Sequence, residues 1–364
     1  MKLQDFDYHL PRRLIAQQPA PARDGARLMV LDRRNGAMDH RRFSDLPQYL
    51  EPDEAVVINE TKVFPARLVG KKPSGGRVEI LLVRKWGRGE AGTSPGLSPQ
   101  EWTEEAAEDW ECLVQSSRRL RSKTRVILDG GVYGELVERT DTSLWKLRLK
   151  GKGEVDPILR QIGFPPLPPY IRRNGDREMR AQDLDRYQTV YAHNEGAIAA
   201  PTAGLHFTEA LLDEIKGKGV RILALTLHVG IGTFLPVKQQ EVEKHHLEPE
   251  FFEVSPETAL AVQGIRASGK RVIAVGTTVT RALESCIDEN GTIQPKRGET
   301  GLFILPGHRF GAVDGLITNF HLPRSTLLML VSAFAGREFI LAAYEEAIRK
   351  NYRFYSYGDA MLIL

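Results

Sequence analysis

What most constrains this chain is a change of texture part-way along it. Residues 66–150 break into short β-forming runs: ARLVGKK, RVEILLVRKW, WECLVQ, TRVILDG, YGELVERT and SLWKLRLK, nearly evenly spaced and marked by glycine turns. Such a pattern predicts a small antiparallel barrel or sandwich. The flanks, residues 1–65 and 151–364, read differently. ARLMVLDR and EAVVINE are strand candidates, and SPETALAVQGIRASGKRVIAVGTTVTRALES supplies a helix, a strand and a second helix. The expected architecture is an α/β large domain with a small inserted antiparallel β-barrel domain, and 364 residues are enough for both. Within the insert, residues 87–109 are rich in Gly, Ser, Pro and acids and are expected to form an exposed, mobile loop.

Polar residues gather in residues 196–234, GAIAAPTAGLHFTEALLDEIKGKGVRILALTLHVGIGTF. Thr208 is placed to cap a helix whose apolar stripe is Leu211, Leu212 and Ile215, and RILALTLHVGIG reads as a buried strand ending in glycines. Thr202, Gly204, His206, Glu209, His228 and Thr233 fall near the loop junctions, which favours a site. The plain alternative is a capped helix and a core strand with two structural histidines. Just upstream, LDRYQTVYAHNEGAIA reads as a helix on which Tyr187, Gln188 and Tyr191 share a surface. Downstream, Gly276, Thr277 and Thr278 end a strand, the position where open α/β sheets expose ligands, and Thr280 and Arg281 begin the next helix. Asp314, Asn319 and His321 fall in loops around short strands. The chain closes with a helical segment, AFAGREFILAAYEEAIRKNY, and a terminal aromatic strand, RFYSYGDAMLIL.

Two basic runs stand out. SSRRLRSKTR puts Arg118, Arg119, Arg121, Lys123 and Arg125 within eight positions, and IRRNGDREMR carries Arg172 and Arg173. Either run can neutralise phosphates or be a solvated turn. The net charge of +3 permits an RNA partner without demanding one. Dinucleotide and Walker fingerprints, HExxH and CxxC are all absent. Cys112 and Cys286 lie far apart, and the adjacent histidines of KHHLEPE would point to opposite faces of a strand, so no metal site is expected. The first residues carry no apolar signal region, and STLLMLVSAFAG is too short to span a bilayer; a cytoplasmic protein without membrane partners is expected.

A resemblance runs nearly end to end. It is carried by FDYHLPRRLIAQQPAPARDGARLMV, VINETKVFPARL, YQTVYAHNEGAIAAPTAGLHFT, LTLHVGIGTFLPV, HHLEPEFFEV, VIAVGTTVTRALES and GLITNFHLPRSTLLMLVSAFAG, in that order. With these motifs the chain resembles the S-adenosylmethionine:tRNA ribosyltransferase-isomerase family of the queuosine pathway. The resemblance implies a barrel beside a large α/β domain and a monomer that can act alone. It implies that S-adenosylmethionine is consumed as a substrate, with no other cofactor. Its ribosyl part would move onto 7-aminomethyl-7-deazaguanine at the wobble position of tRNA, forming epoxyqueuosine and releasing adenine and methionine. It also implies that Asn59, Thr61 and Lys62 lie near the main site.

That chemistry makes three demands. A base must take the proton beside the sulfonium at the ribose 5′ carbon, the adenine leaving group must be hydrogen-bonded or protonated, and sugar oxyanions need fixed donors. His206, His228 and His321 are the imidazole candidates, and Glu209 and Asp314 the carboxylates. Thr202, Thr233, Thr277, Arg281 and Asn319 are donor candidates, with Asn59, Lys62, Tyr187, Gly204 and Thr278 as further substrate contacts. Two other classes compete. A non-catalytic RNA-binding protein leaves the histidine- and threonine-rich loops without a role. An S-adenosylmethionine-dependent RNA methyltransferase would release S-adenosylhomocysteine instead of adenine.

Overall fold

The computed structural model describes residues 1–85, 106–117, 119–140, 144–151, 154–173, 177–234, 237 and 239–364. In chain order, β1 (Arg27–Asp32), β2 (Ala37–Arg42), β3 (Ala55–Asn59) and β4 (Thr61–Val63) come first. Next are β5 (Arg67–Lys71), β6 (Arg77–Lys85), β7 (Ala106–Ser116), β8 (Arg125–Ile127), β9 (Tyr133–Arg139) and β10 (Trp145–Gly151). Helices α1 (Val155–Ile162) and α2 (Arg177–Arg186) lead to β11 (Asn194–Ala197), α3 (Glu209–Gly217), β12 (Arg221–Leu227) and β13 (Glu250–Val254). The remainder is α4 (Pro256–Ala267), β14 (Val272–Val275), α5 (Thr277–Glu284), β15 (Lys296–Thr300), β16 (Gly315–Asn319), α6 (Thr326–Ala335), α7 (Arg337–Arg349) and β17 (Ala360–Ile363).

These elements form two compact units. The larger comprises Met1–Lys62, Leu167–Asp176 and Asp185–Leu364. Its sheet has nine strands in the order β15-β13-β12-β3-β14-β16-β17-β1-β2. The central four, β12, β3, β14 and β16, run parallel. Their sequences RILALTL, AVVIN, VIAV and GLITN are apolar nearly throughout, as parallel strands covered on both faces must be. Their carboxyl ends, Leu227, Asn59, Val275 and Asn319, therefore share one edge. Because β17 runs antiparallel to β16 with Asn319 opposite Ala360, the turn before β17 arrives at that edge too. Leu28, Phe43, Val56, Phe207, Ile273 and Leu362 belong to the core on one face. Thr208 caps α3, accepting from the Leu211 amide at 3.1 Å, and Leu211, Leu212 and Ile215 are buried as their spacing predicts.

Three local expectations change. The helix expected over 184–199 ends at Arg186, because the residues beyond it pack one by one: Tyr187 edge-on to Tyr357, Tyr191 against Phe207, and β11 beside β4. The helical segment near the end breaks at Gly336, whose φ of 89° ends α6 and turns α7 by 114°. The terminal strand is only Ala360–Ile363; Tyr352, Phe354, Tyr355 and Tyr357 are buried in the turns before it. Among the described residues no single helix is long and apolar enough to cross a membrane.

The smaller unit, Val63–Pro166 with Arg177–Leu184, holds a closed antiparallel barrel in the order β10-β7-β6-β5-β8-β9. Alternation sets its interior: Val78, Ile80 and Leu82 of β6 point in while their neighbours stay partly exposed. This unit outruns the expected limit at residue 150. Ile158 of α1 lies so close to Gly130 that a Cβ there would sit 2.7 Å from it, and Lys85 reaches Asp156 at 3.5 Å. Of the loop expected over 87–109, residues 87–105 lie outside the described residues. The last four begin β7 instead, because Asp109 accepts from Nε and Nη2 of Arg148 in β10, each at 2.8 Å.

Candidate active site at the carboxyl edge of the sheet

Within the larger unit, a cleft of about 470 Å³ opens at the carboxyl ends of the parallel strands. β14 delivers Gly276, Thr277 and Thr278, and β16 delivers Thr318, Asn319 and His321. Pro201 and Thr202 form one wall, Tyr187, Tyr355 and Ser356 another, and Glu248, Glu250 and Arg281 a third. The volume and the mix of apolar walls with a few fixed polar groups suit a small-molecule ligand.

Asn319 organises the polar wall. Its Oδ1 accepts from the Thr202 hydroxyl at 3.0 Å, and its Nδ2 donates to the Tyr355 carbonyl at 3.2 Å and to His206 Nε2 at 3.2 Å. Arg281 and Glu250 form a buried ion pair in the third wall. Arg281 also donates to the carbonyls of Leu302 and Thr300, and Glu250 Oε1 accepts from the Gly230 amide at 2.8 Å. Both charges of this pair are matched, as burial requires.

The candidate residues separate clearly. Tyr187, Thr202, Thr277, Thr278, Arg281, Asn319 and His321 all line the cleft. His321 is buried and fixed through Nε2 to Thr318 Oγ1 at 2.8 Å; its carbonyl accepts from Tyr8 and its amide donates to Tyr344. Burial lowers its pKa to about 3, so the ring is neutral.

His206 stands behind the wall. The short 3-10 turn Thr202–His206 aims its ring at Phe43, with centroids 5.0 Å apart, and burial takes its pKa down to about 4. Since Asn319 Nδ2 can only donate, Nε2 must accept, and His206 acts on the cleft through Asn319 rather than by touching a ligand. Gly204 has the same rearward position: a Cβ there would lie 2.0 Å from the Tyr191 hydroxyl, so its role is close packing.

His228 is also outside the lining. Its Nδ1 is 2.8 Å from Thr61 Oγ1, its ring stacks on Phe251, and Gly196 packs so close that a Cβ there would sit 2.6 Å from Nε2. Asn59 is fully buried and staples three elements: Oδ1 accepts from the Thr61 and Leu227 amides, while Nδ2 donates to the Leu227 carbonyl and to Thr278 Oγ1 at 3.3 Å. It reaches the cleft only through Thr278.

Two carboxylates are displaced from the cleft. Glu209 is the exposed first residue of α3, a place favoured for its charge by the helix dipole. Asp314 sits before β16, where Oδ2 accepts from the Val272 amide at 2.9 Å. That is the opposite edge of the sheet, about 16 Å away along a strand of this length. Lys62 is exposed on β4. The Thr233 and Arg118 side chains lie outside the described residues.

Tyr355 and Ser356 could not be picked out beforehand, because the last residues look like one strand. Glu248 and Glu250 stand out in the sequence only beside the KHHLEPE histidines, as a metal set. Among the described residues no three His, Cys, Asp or Glu side chains are grouped to hold a metal ion. On the barrel, Arg119, Arg121, Lys123 and Arg125 are all exposed around the start of β8, and Arg125 lies 3.9 Å from Glu135. Arg172 is exposed and Arg173 half-buried.

A ligand cleft outside the carboxyl ends of parallel strands defines an α/β protein of the enzyme-like, open-sheet class. The comparisons narrow the class. Residues 3–363 match the model of the family described as queuosine biosynthesis protein. The S-adenosylmethionine:tRNA ribosyltransferase-isomerases of Halothermothrix orenii and Geobacter sulfurreducens are each 48% identical to this chain, over 100% of both chains. A crystal structure of the S-adenosylmethionine tRNA ribosyltransferase from Thermotoga maritima is 34% identical, covers 99% of this chain and superposes with a TM-score of 0.52. The chain belongs to the queuosine biosynthesis protein family.

Proposed function

We propose that this chain transfers and isomerises the ribosyl part of S-adenosylmethionine onto 7-aminomethyl-7-deazaguanine at the tRNA wobble position, yielding epoxyqueuosine, adenine and methionine. The observation that carries this reading is the match over the full length of both chains to relatives named for the reaction. S-adenosylmethionine is then a substrate, no other cofactor takes part, and the protein acts as a monomer.

The cleft offers groups for part of this chemistry. His321 is the imidazole on its lining and the candidate base for the proton on the ribose 5′ carbon beside the sulfonium. Glu248, exposed on the lining, supplies negative charge for the sulfonium. Thr202 Oγ1 gives its own proton to Asn319 and keeps lone pairs that can accept from a sugar hydroxyl. Arg119, Arg121, Lys123 and Arg125 give the RNA backbone a set of cations.

The test is product analysis with S-adenosylmethionine and tRNA bearing the deazaguanine base. Adenine and methionine should appear in equal amounts with one modified base per turnover. S-adenosylhomocysteine in their place would mean a methyltransferase, and binding without product would mean an RNA-binding protein.

A further inference from the structure

The cleft contains a cluster of hydrogen-bond donors that the roles of His321, Glu248, Asn319 and Thr202 do not use. α5 starts directly from β14 through Gly276, whose φ of 93° is open to glycine and costly for other residues. A glycine N-cap brings no side chain to the first turn. α3, α4 and α6 each satisfy a first-turn amide with a Ser or Thr hydroxyl, whereas α5 has no side-chain cap. The first intrahelical bond of α5 runs from the Thr280 amide to the Gly276 carbonyl. The amides of Thr277, Thr278 and Val279 are left without an acceptor among the described residues.

The side chains add an independent observation. Thr277 is 6% exposed, lines the cleft, and its hydroxyl has no hydrogen-bond partner among the described residues. Thr278 Oγ1 already accepts from Asn59 Nδ2, so its own proton is free to be donated. The set comprises three amides and two hydroxyls, all donors at the positive end of a helix dipole. That combination selects an oxyanion. The nearby cation does not change the count, because the Arg281 charge is taken by Glu250. A singly charged group therefore fits better than a doubly charged phosphate.

Resting on the proposed function, we infer that the amino terminus of α5 binds the α-carboxylate of the methionyl part of S-adenosylmethionine. The amides of Thr277, Thr278 and Val279 and the two threonine hydroxyls are its donors. An RNA phosphodiester has the same acceptor chemistry, but a cleft of about 470 Å³ matches a molecule of the size of S-adenosylmethionine.

The experiment is calorimetric titration of the full chain with S-adenosylmethionine and with its decarboxylated analogue. Wild type should bind the carboxylate-bearing ligand at least about tenfold more tightly, as expected for hydrogen bonds to a charged group. Thr277→Val should lose about tenfold in affinity for S-adenosylmethionine, less than about threefold for the analogue, and Thr277→Ser should recover most of the loss. Equal losses for both ligands, or equal wild-type affinities, would overturn the assignment. Weakened tRNA binding with unchanged S-adenosylmethionine binding would overturn it in favour of the phosphodiester.

A second arm separates this inference from the reading it rests on. With isotope-labelled threonine, L-methionine should shift the Thr277 and Thr278 amide resonances and L-methioninamide should not. If those shifts appear while the wild type releases no adenine, the function fails and the carboxylate site stands. If methionine moves neither amide, the site is wrong whatever the turnover.

Discussion

The cleft and the barrel use the same kinds of side chain to opposite ends. In the cleft, Arg281 and Glu250 are almost wholly buried and bind both each other and backbone groups around them. On the barrel, Lys146–Glu138 at 2.6 Å and Arg77–Glu79 at 2.7 Å are close pairs too, but open to solvent. Solvent screens those pairs to about 0–1 kcal/mol, while stripping one partner from a buried pair leaves an uncompensated charge. Burial, not distance, decides what each interaction is worth. The cleft is therefore a preorganised polar wall, and the barrel surface a replaceable field of charge.

The largest expected effect is on chemistry. His321→Ala should slow single-turnover adenine release by about 10²–10⁴-fold while both substrates still bind. The wild-type rate should hold as pH falls through 6, where an ordinary histidine protonates, because burial lowers the His321 pKa to about 3. An acid limb near the ordinary histidine pKa of about 6.5 that disappears in the alanine variant would show an unshifted ring. It would break the contrast between buried and exposed groups.

Next comes stability. Glu250→Ala should cost about 3–5 kcal/mol in urea unfolding, against at most about 1 kcal/mol for Glu138→Ala on the barrel. Equal losses would erase the distinction between the two regions.

A smaller effect concerns His206, whose pKa falls from 6.5 unfolded to about 4 folded through burial. Between those values the unfolded chain holds a proton that the folded chain lacks. Its stabilising effect is thus complete above the unfolded pKa of 6.5 and is lost as pH falls to about 4. Replacing it by Gln should flatten the pH dependence of unfolding in that window by up to about 1.4 kcal/mol per pH unit. An unchanged slope would mean that the ring is solvated.

The smallest change in folding belongs to the barrel. Arg119→Glu with Arg121→Glu should alter stability by no more than about 0.5 kcal/mol. It should raise the tRNA dissociation constant at low salt and reduce the salt slope by about 1–2. Unaltered tRNA affinity at low salt would reduce these arginines to a solvated turn.

Patterns confined to a few neighbours were legible in the sequence. Strand alternation announced the barrel, and Thr208 with its apolar stripe announced α3. Thr277, Arg281 and Asn319 could be picked out because they follow or end strands. The rest depends on long-range geometry. Asp314 and Asn319 bracket a single five-residue strand, so one falls away from the cleft and the other within it. His206 and Asn59 belong to motifs that border the cleft, yet their side chains turn back and hold Asn319 and Thr278 in place. Glu250 required the pairing of β12 with β13 to bring it beside Gly230, and Ser356 required the antiparallel return of β17. No local pattern encodes those meetings.

The central claim is that chemistry resides in the cleft while the barrel cations serve RNA affinity. The most direct measurement is single-turnover adenine release at saturating tRNA and S-adenosylmethionine, comparing His321→Ala with the Arg119→Glu, Arg121→Glu double variant. The account predicts that the cleft variant remains slow by about 10²–10⁴-fold at saturation, while the barrel variant returns to the wild-type rate. A cleft variant rescued by saturation, or a barrel variant that stays slow, would contradict it.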